Sequence, residues 1–135
     1  MTSSSRILVI DDSDAVLARV ANRLGAAGYE VVTTNQTVGA ARHLPGCELV
    51  ILDYHMPGID GQGVLESLRA AVSSWPKPPL FYLYTSDRAI SSSYRRLGFD
   101  GGFSNKGDDG TLVRQVDAAF RLIRIKALAK RAPKG

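Results

Sequence analysis

Two adjacent aspartates (Asp11 and Asp12), an isolated Asp53, the hydroxyl pair Thr85-Ser86 and a single Lys106 are the residues here best placed to do chemistry. Each lies at the end of a short run of aliphatic, β-branched or aromatic residues: Ile7–Ile10, Leu49–Leu52, Leu80–Tyr84 and the weaker Phe103–Asn105. Carboxylates gathered at one place disfavour each other as anions. A divalent cation among them relieves that repulsion. An oxygen-only donor set without a histidine or cysteine cluster points to Mg²⁺ or a similar hard ion. A carboxylate beside such an ion can attack a phosphoryl group to give an acyl phosphate. A lysine and a hydroxyl then neutralise charge on the phosphoryl oxygens. Asp53, Lys106 and Thr85 can fill those three roles. Each feature alone has a plainer explanation: Asp11-Asp12 and Thr85-Ser86-Asp87 as helix caps, Lys106 as an edge-strand charge. Their conjunction at successive strand ends carries the weight.

The elements that must bring them together alternate regularly. Strands are expected at Ile7–Ile10, Tyr29–Thr34, Leu49–Leu52, Leu80–Tyr84 and Phe103–Asn105. Helical spacing lies between them: Val16, Val20 and Leu24 with Leu17 in Ala15–Ala27, then Val64, Leu65 and Leu68, and finally Leu112, Val116, Phe120 and Ile123. Trp75-Pro76-Lys77-Pro78-Pro79 reads as the loop into the fourth strand. Five strands alternating with five helices predict a doubly wound α/β fold, a parallel sheet covered on both faces. Right-handed crossovers favour the flavodoxin-like order 2-1-3-4-5. In such a sheet, ligands bind outside the carboxyl ends of the strands near the switch in order. Strands one, three and four would be neighbours there, so Asp11, Asp12, Asp53 and Thr85 converge.

A chain of 135 residues with 44% hydrophobic and 22% charged side chains suits one domain with a real core. The lone Cys47 excludes an internal disulfide and fits a reducing compartment. Met1–Arg6 is polar, and the following apolar run is too short for a signal peptide or a membrane span, so a soluble cytoplasmic protein is expected. The net charge of +4 is local: Arg121, Arg124, Lys126, Lys130, Arg131 and Lys134 stand together without an acid among them. This basic tail reads as a solvated continuation of the last helix, with Ala132-Pro133 as its stop, or as the start of a linker. The expected division is a domain over 1–122 and a basic extension over 123–135, with no specific nucleic-acid binding and no membrane contact.

At this point the sequence resembles a known family. Ile7-Leu8-Val9-Ile10-Asp11-Asp12-Ser13 is similar to the opening of response-regulator receiver domains of two-component signalling, of the chemotaxis-type fold. Asp53-Tyr54-His55-Met56-Pro57-Gly58-Ile59-Asp60-Gly61 matches their D-x-x-M-P-x-x-D-G segment, and Leu83-Tyr84-Thr85-Ser86 and Lys106 follow in order. The likeness covers residues 6–122. It implies a signalling phosphoacceptor rather than an enzyme, one that assists its own phosphorylation and dephosphorylation. Asp53 would accept phosphate from a histidine kinase or phosphotransfer protein. Asp12 would hold Mg²⁺ directly, Asp11 through water, and His55 through its backbone carbonyl. Lys106 would pair with the phosphoryl group, Thr85 would move toward it, and Phe103 would repack inward behind Thr85. The exchange would reshape the face of the fourth helix (near Ala89–Leu97), fifth strand and fifth helix. Tyr94, Arg95 and Phe103 are the candidates there for a downstream protein or a homodimer.

Four departures qualify the likeness. Gly107 stands where a proline usually follows the lysine, so a trans peptide is expected, a cis bond before a non-proline residue costing about 2.5–4 kcal/mol. The Gly98–Lys106 connection is one residue longer, with Gly101-Gly102 read as flexible. Ser86 replaces a common alanine, and Phe103 a frequent tyrosine. His43 reads as a surface helix residue. A haloacid-dehalogenase-type phosphatase is disfavoured because His55 stands where its second acid is needed. A pseudo-receiver that never takes phosphate is opposed by the intact Asp11, Asp12, Asp53, Thr85 and Lys106. Relief of repulsion is expected to stabilise Asp11→Ala and Asp12→Ala alike without metal.

Overall fold

Continuous apolar runs form the middle of the sheet, because a central parallel strand is covered on both faces. The structure, a computed structural model, describes residues 5–56, 59–104 and 106–131. Pro57, Gly58, Asn105 and the Ala132-Pro133 stop lie outside them. Five parallel strands form one sheet in the order β2-β1-β3-β6-β7: β1 (Arg6–Ile10), β2 (Glu30–Thr34), β3 (Leu49–Asp53), β6 (Leu80–Tyr84) and β7 (Gly101–Phe103). A two-residue hairpin of β4 (His55–Met56) and β5 (Ile59–Asp60) follows β3. The strand order is the expected 2-1-3-4-5.

Four α-helices are present among the described residues: α1 (Asp14–Ala26), α2 (Gly61–Ala71), α3 (Arg88–Ser92) and α4 (Asp109–Arg131). The expected count of five is corrected by one. Between β2 and β3 the chain makes only a 3-10 turn, Ala40–His43. Gly39 enters it in the left-handed conformation (φ 77°), and Pro45 follows at once, so no regular helix fits between them. His43 therefore sits on this turn. The expected Ala89–Leu97 helix is also shorter. After Ser92 the three serines give way to turns closed by Leu97 N–H to Ser93 O and Phe99 N–H to Tyr94 O.

Alternation along the strands splits the core in two. Leu8, Ile10, Val50, Leu52, Phe81 and Leu83 face α2 and the 3-10 turn, while Ile7, Val9, Leu49, Ile51, Tyr84 and Phe103 face α1 and α4. Helix α1 starts at Ser13, whose Oγ accepts from Val16 N–H, and buries Leu17, Val20 and Leu24, while Val16 of the expected stripe is only partly covered. Tyr29 closes this side. Its phenol donates to Asp117 of α4 and its ring stacks on Phe120 at 5.1 Å.

The last strand, Gly101–Phe103, begins two residues before the expected Phe103–Asn105, of which Asn105 lies outside the described residues. Gly101-Gly102, read as flexible, are strand residues paired with Tyr82 and Leu83. Gly101 is needed for close approach. A Cβ there would lie 2.5 Å from Cε2 and Cζ of Tyr82, whose ring rests on Phe103 at 4.6 Å. Gly101→Ala should therefore cost about 1–3 kcal/mol by forcing that stack apart. Gly25→Ala, within α1 and with open space around it, should stabilise by about 0.4–1 kcal/mol. Urea unfolding of both variants against the parent checks the opposite signs.

Candidate functional site

The site follows from which strand ends are adjacent. Ile10 pairs with Leu52 and Asp53 with Tyr84, so the first residues beyond β1, the end of β3 and the residue after β6 lie side by side. Asp11 is fixed at its own N–H, which donates to Thr34 O of β2. Asp11, Asp12 and Asp53 each offer a carboxylate oxygen within 4.8 Å of the others. Asp11 and Asp53 are buried, 2% and 5% exposed, while Asp12 faces solvent. The three acids expected to meet do meet.

Two nearly dry carboxylates need compensation. Lys106, on the loop between β7 and α4, supplies it: its Nζ donates to Asp11 Oδ2 at 2.7 Å and to Asp53 Oδ1 at 3.0 Å. Asp11 also accepts from Ser13 N–H through Oδ1 at 2.9 Å, which ties it to the start of α1. Burial pushes the Lys106 ammonium down from its ordinary value, but its hydrogen bonds to Asp11 and Asp53 outweigh this and leave it raised. Its stabilising charge is therefore complete below about pH 10.5 and is lost only as pH rises through the higher folded value.

The other expected residues take these places. Thr85 is 3% exposed, and its Oγ1 accepts from Asp87 N–H at 3.1 Å. Asp87 caps α3 through Ala89 and Ile90, so the capping explanation holds for Asp87. Ser86 is exposed. His55 lies in β4, two residues past Asp53, paired with Asp60. Tyr94 is half-buried and Arg95 exposed, with the guanidinium 5.8 Å from the Tyr94 ring. Phe103 is 2% exposed and already inside, in the cluster with Tyr84, so it offers no surface to a partner here. The Lys106–Gly107 peptide is trans, with Gly107 at φ 106°.

Sequence reasoning missed Tyr84, read only as an apolar strand residue. Its hydroxyl accepts from Gly107 N–H at 3.4 Å, and its ring centroid lies 5.5 Å from Lys106 Nζ. A phenol at a buried strand end, one residue before Thr85, was the available signal. It also missed Asp100, whose carboxylate accepts from Phe81 N–H and Arg69, fastening α2 to the chain entering β7.

With this geometry in place, the comparison with known proteins is decisive. The family model of the response regulator receiver domain matches residues 7–98. The chain belongs to that family. It is 31% identical over 131 residues to the transcriptional regulatory protein PrrA of Mycobacterium leprae, covering 96% of this chain and 52% of that protein. It is 40% identical over 131 residues to the response regulator PleD of Caulobacter vibrioides, covering 94% of this chain and 26% of PleD. The chain thus spans about half the length of PrrA and about a quarter of PleD. A CheY-like receiver domain from Methanospirillum hungatei shares the fold (TM-score 0.75, 20% identity, 92% of this chain and 99% of that one). The response regulator TrrA of Thermotoga maritima, solved with Mg²⁺-BeF, is similar at TM-score 0.69 and 27% identity, over 84% of this chain and 97% of that one.

As a receiver, the chain carries an acidic pocket that fits a phosphoacceptor site and a metal ion. The structure separates the two neighbouring acids. Asp12→Ala should stabilise the metal-free protein by removing an exposed charge beside two others. Asp11→Ala should instead destabilise it by about 1–3 kcal/mol, since Ser13 N–H and Lys106 both lose a partner. Lys106→Met should cost about 2–4 kcal/mol, somewhat below a fully enclosed pair because the pocket opens at Asp12. That cost should stay constant from pH 7 to 10 and shrink above, which urea titrations at several pH values would read.

Proposed function

We propose that this receiver takes a phosphoryl group from the phosphohistidine of a histidine kinase onto Asp53. The observation that supports this most is Asp53 itself: a 5% exposed carboxylate, with Lys106 Nζ 3.0 Å from Oδ1 and two further acids beside it. A carboxylate oxygen of Asp53 attacks phosphorus and forms the P–O bond. The P–N bond breaks with its electron pair going to the imidazole nitrogen, which a proton then neutralises.

The donor set of Asp11, Asp12 and Asp53 is all oxygen and anionic, the chemistry of a Mg²⁺ site, with the His55 carbonyl as a further oxygen. Bound there, Mg²⁺ would screen the carboxylates and the charge on the phosphoryl oxygens. Lys106 then binds a phosphoryl oxygen in place of its present contact, and the Thr85 hydroxyl donates to another. Asp12, exposed in this structure, is the ligand open to the ion, while Asp11 is committed to Ser13 and Lys106 and acts through water. TrrA with Mg²⁺-BeF supports the same reading here. Lys106 and the hydroxyl also govern how the acyl phosphate is later hydrolysed, a self-assisted step without an external substrate.

Output is read through the face of α3, β7 and α4, toward a downstream protein or a second copy. The half-buried Tyr94 and the exposed Arg95 supply its contacts, while Thr85 and Phe103 transmit the change from within. The receiver occupies 1–122, and 123–135 form a basic extension or the beginning of a linker. Among the described residues no helix is long and apolar enough to cross a membrane, and a cytoplasmic site of action fits two-component signalling.

Incubation with acetyl phosphate and Mg²⁺ should add one phosphate by intact mass. Asp53→Asn and excess chelator should each abolish it, and labelling that survives in Asp53→Asn would refute the assignment.

A further inference from the structure

Lys106 must point its ammonium at a reacting group from a loop, and its flexible four-carbon stem makes that costly in entropy. The side chain is held at its tip by Asp11 and Asp53. These are the groups whose charge and bonding change when Asp53 is modified. A restraint that survives the reaction has to come from elsewhere. The backbone after Lys106 gives none by itself: Gly107 has φ 106°, is exposed, and leaves open space where a Cβ would be.

Tyr84 touches both sides of this problem. It is 1% exposed, fixed in β6 opposite Phe103 and packed among Phe103, Leu112 and Val116. Its hydroxyl accepts from Gly107 N–H, at the residue after the lysine, and its ring lies beneath the lysine ammonium. A buried aromatic on a central strand is among the most rigid anchors a domain offers. A cation above a partly desolvated ring gains electrostatic attraction that does not depend on the carboxylates. We infer that Tyr84 is a positioning residue for Lys106, its hydroxyl fixing the loop through Gly107 and its ring supporting the ammonium while Asp53 reacts. This inference rests on the phosphoacceptor reading of Asp53 and deepens it. Tyr84 is the strand neighbour of Asp53 through the backbone pairing of β3 and β6, and its side chain acts through Lys106.

The bland alternative is an aromatic that only fills the core. Tyr84→Phe separates the two, because it keeps ring and packing and removes only the hydroxyl. Gly107 is an exposed residue whose N–H can pass to water, so the variant should fold with an unchanged melting profile. Asp53 phosphorylation by acetyl phosphate at saturating Mg²⁺ should slow about three- to tenfold at saturating donor, the equivalent of one hydrogen bond of positioning. In the Lys106→Ala background the same substitution should cause no further loss. Hydrogen exchange at the Gly107 amide of the unphosphorylated protein should accelerate in Tyr84→Phe. Equal rates for the parent and Tyr84→Phe, with Lys106→Ala slow, overturn this inference alone. An equal loss in both backgrounds also overturns it, since the effect would not pass through Lys106. A parent protein that takes no phosphate overturns the phosphoacceptor reading and this inference with it.

Discussion

The ammonium of Lys106 between two buried carboxylates is the interaction on which the site depends. A parallel sheet presents the same end of every strand to one side. Two acids ending neighbouring strands β1 and β3 are then forced together, whatever that costs. Either acid left without a cation or donor would be an uncompensated buried charge. The lysine reaches them only because β7 lies beside β6 and its chain returns over the pocket into α4. Strand order, the length of the β7–α4 loop and the entry to α4 are therefore coupled to one set of charge contacts.

The same coupling explains the aromatic character of the edge. Gly101 has no side chain, so the Tyr82 ring can lie across the strand and meet Phe103. Tyr84, in register with Phe103, fills the space below the lysine. A short edge strand with two glycines has little side-chain packing of its own. Its place is maintained by these rings and by Asp100, which bonds Phe81 N–H just before the strand begins. In this arrangement the Phe103 ring is already enclosed, in the same apolar cluster as Tyr84.

Much of this was legible because periodicity reports burial. β1, β3 and β6 are apolar runs, and their boundaries fell within one residue of expectation. The acids at their ends followed directly. What failed depended on tertiary context. Gly101-Gly102 carry a loop's local signal, and it is their pairing with Tyr82 and Leu83 of β6 that makes a strand of them. The Thr34–Leu49 connection allows a helix by count, yet Gly39 and Pro45 confine it to one turn. The inequality of Asp11 and Asp12 was invisible too, since adjacent identical residues differ here only in which one turns toward Ser13 and Lys106.

The basic residues after Arg121 show how a global charge can mislead about a local site. Among the described side chains Phe120 is the last fully enclosed one of α4, with Ile123 and Ala127 partly covered. Leu122, Ile125 and Leu128 are 54%, 60% and 65% exposed, interleaved with Arg121, Arg124 and Lys126. This part of the helix therefore gains little from burial, and its persistence rests on alanine, leucine, lysine and arginine, all strong helix formers. Arg121, Arg124 and Lys126 are exposed, whereas the pocket is acidic and holds Lys106 between two of its carboxylates. The chemistry of the domain is thus set by charges that cancel within a few ångströms, and the excess that dominates its isoelectric point is carried elsewhere.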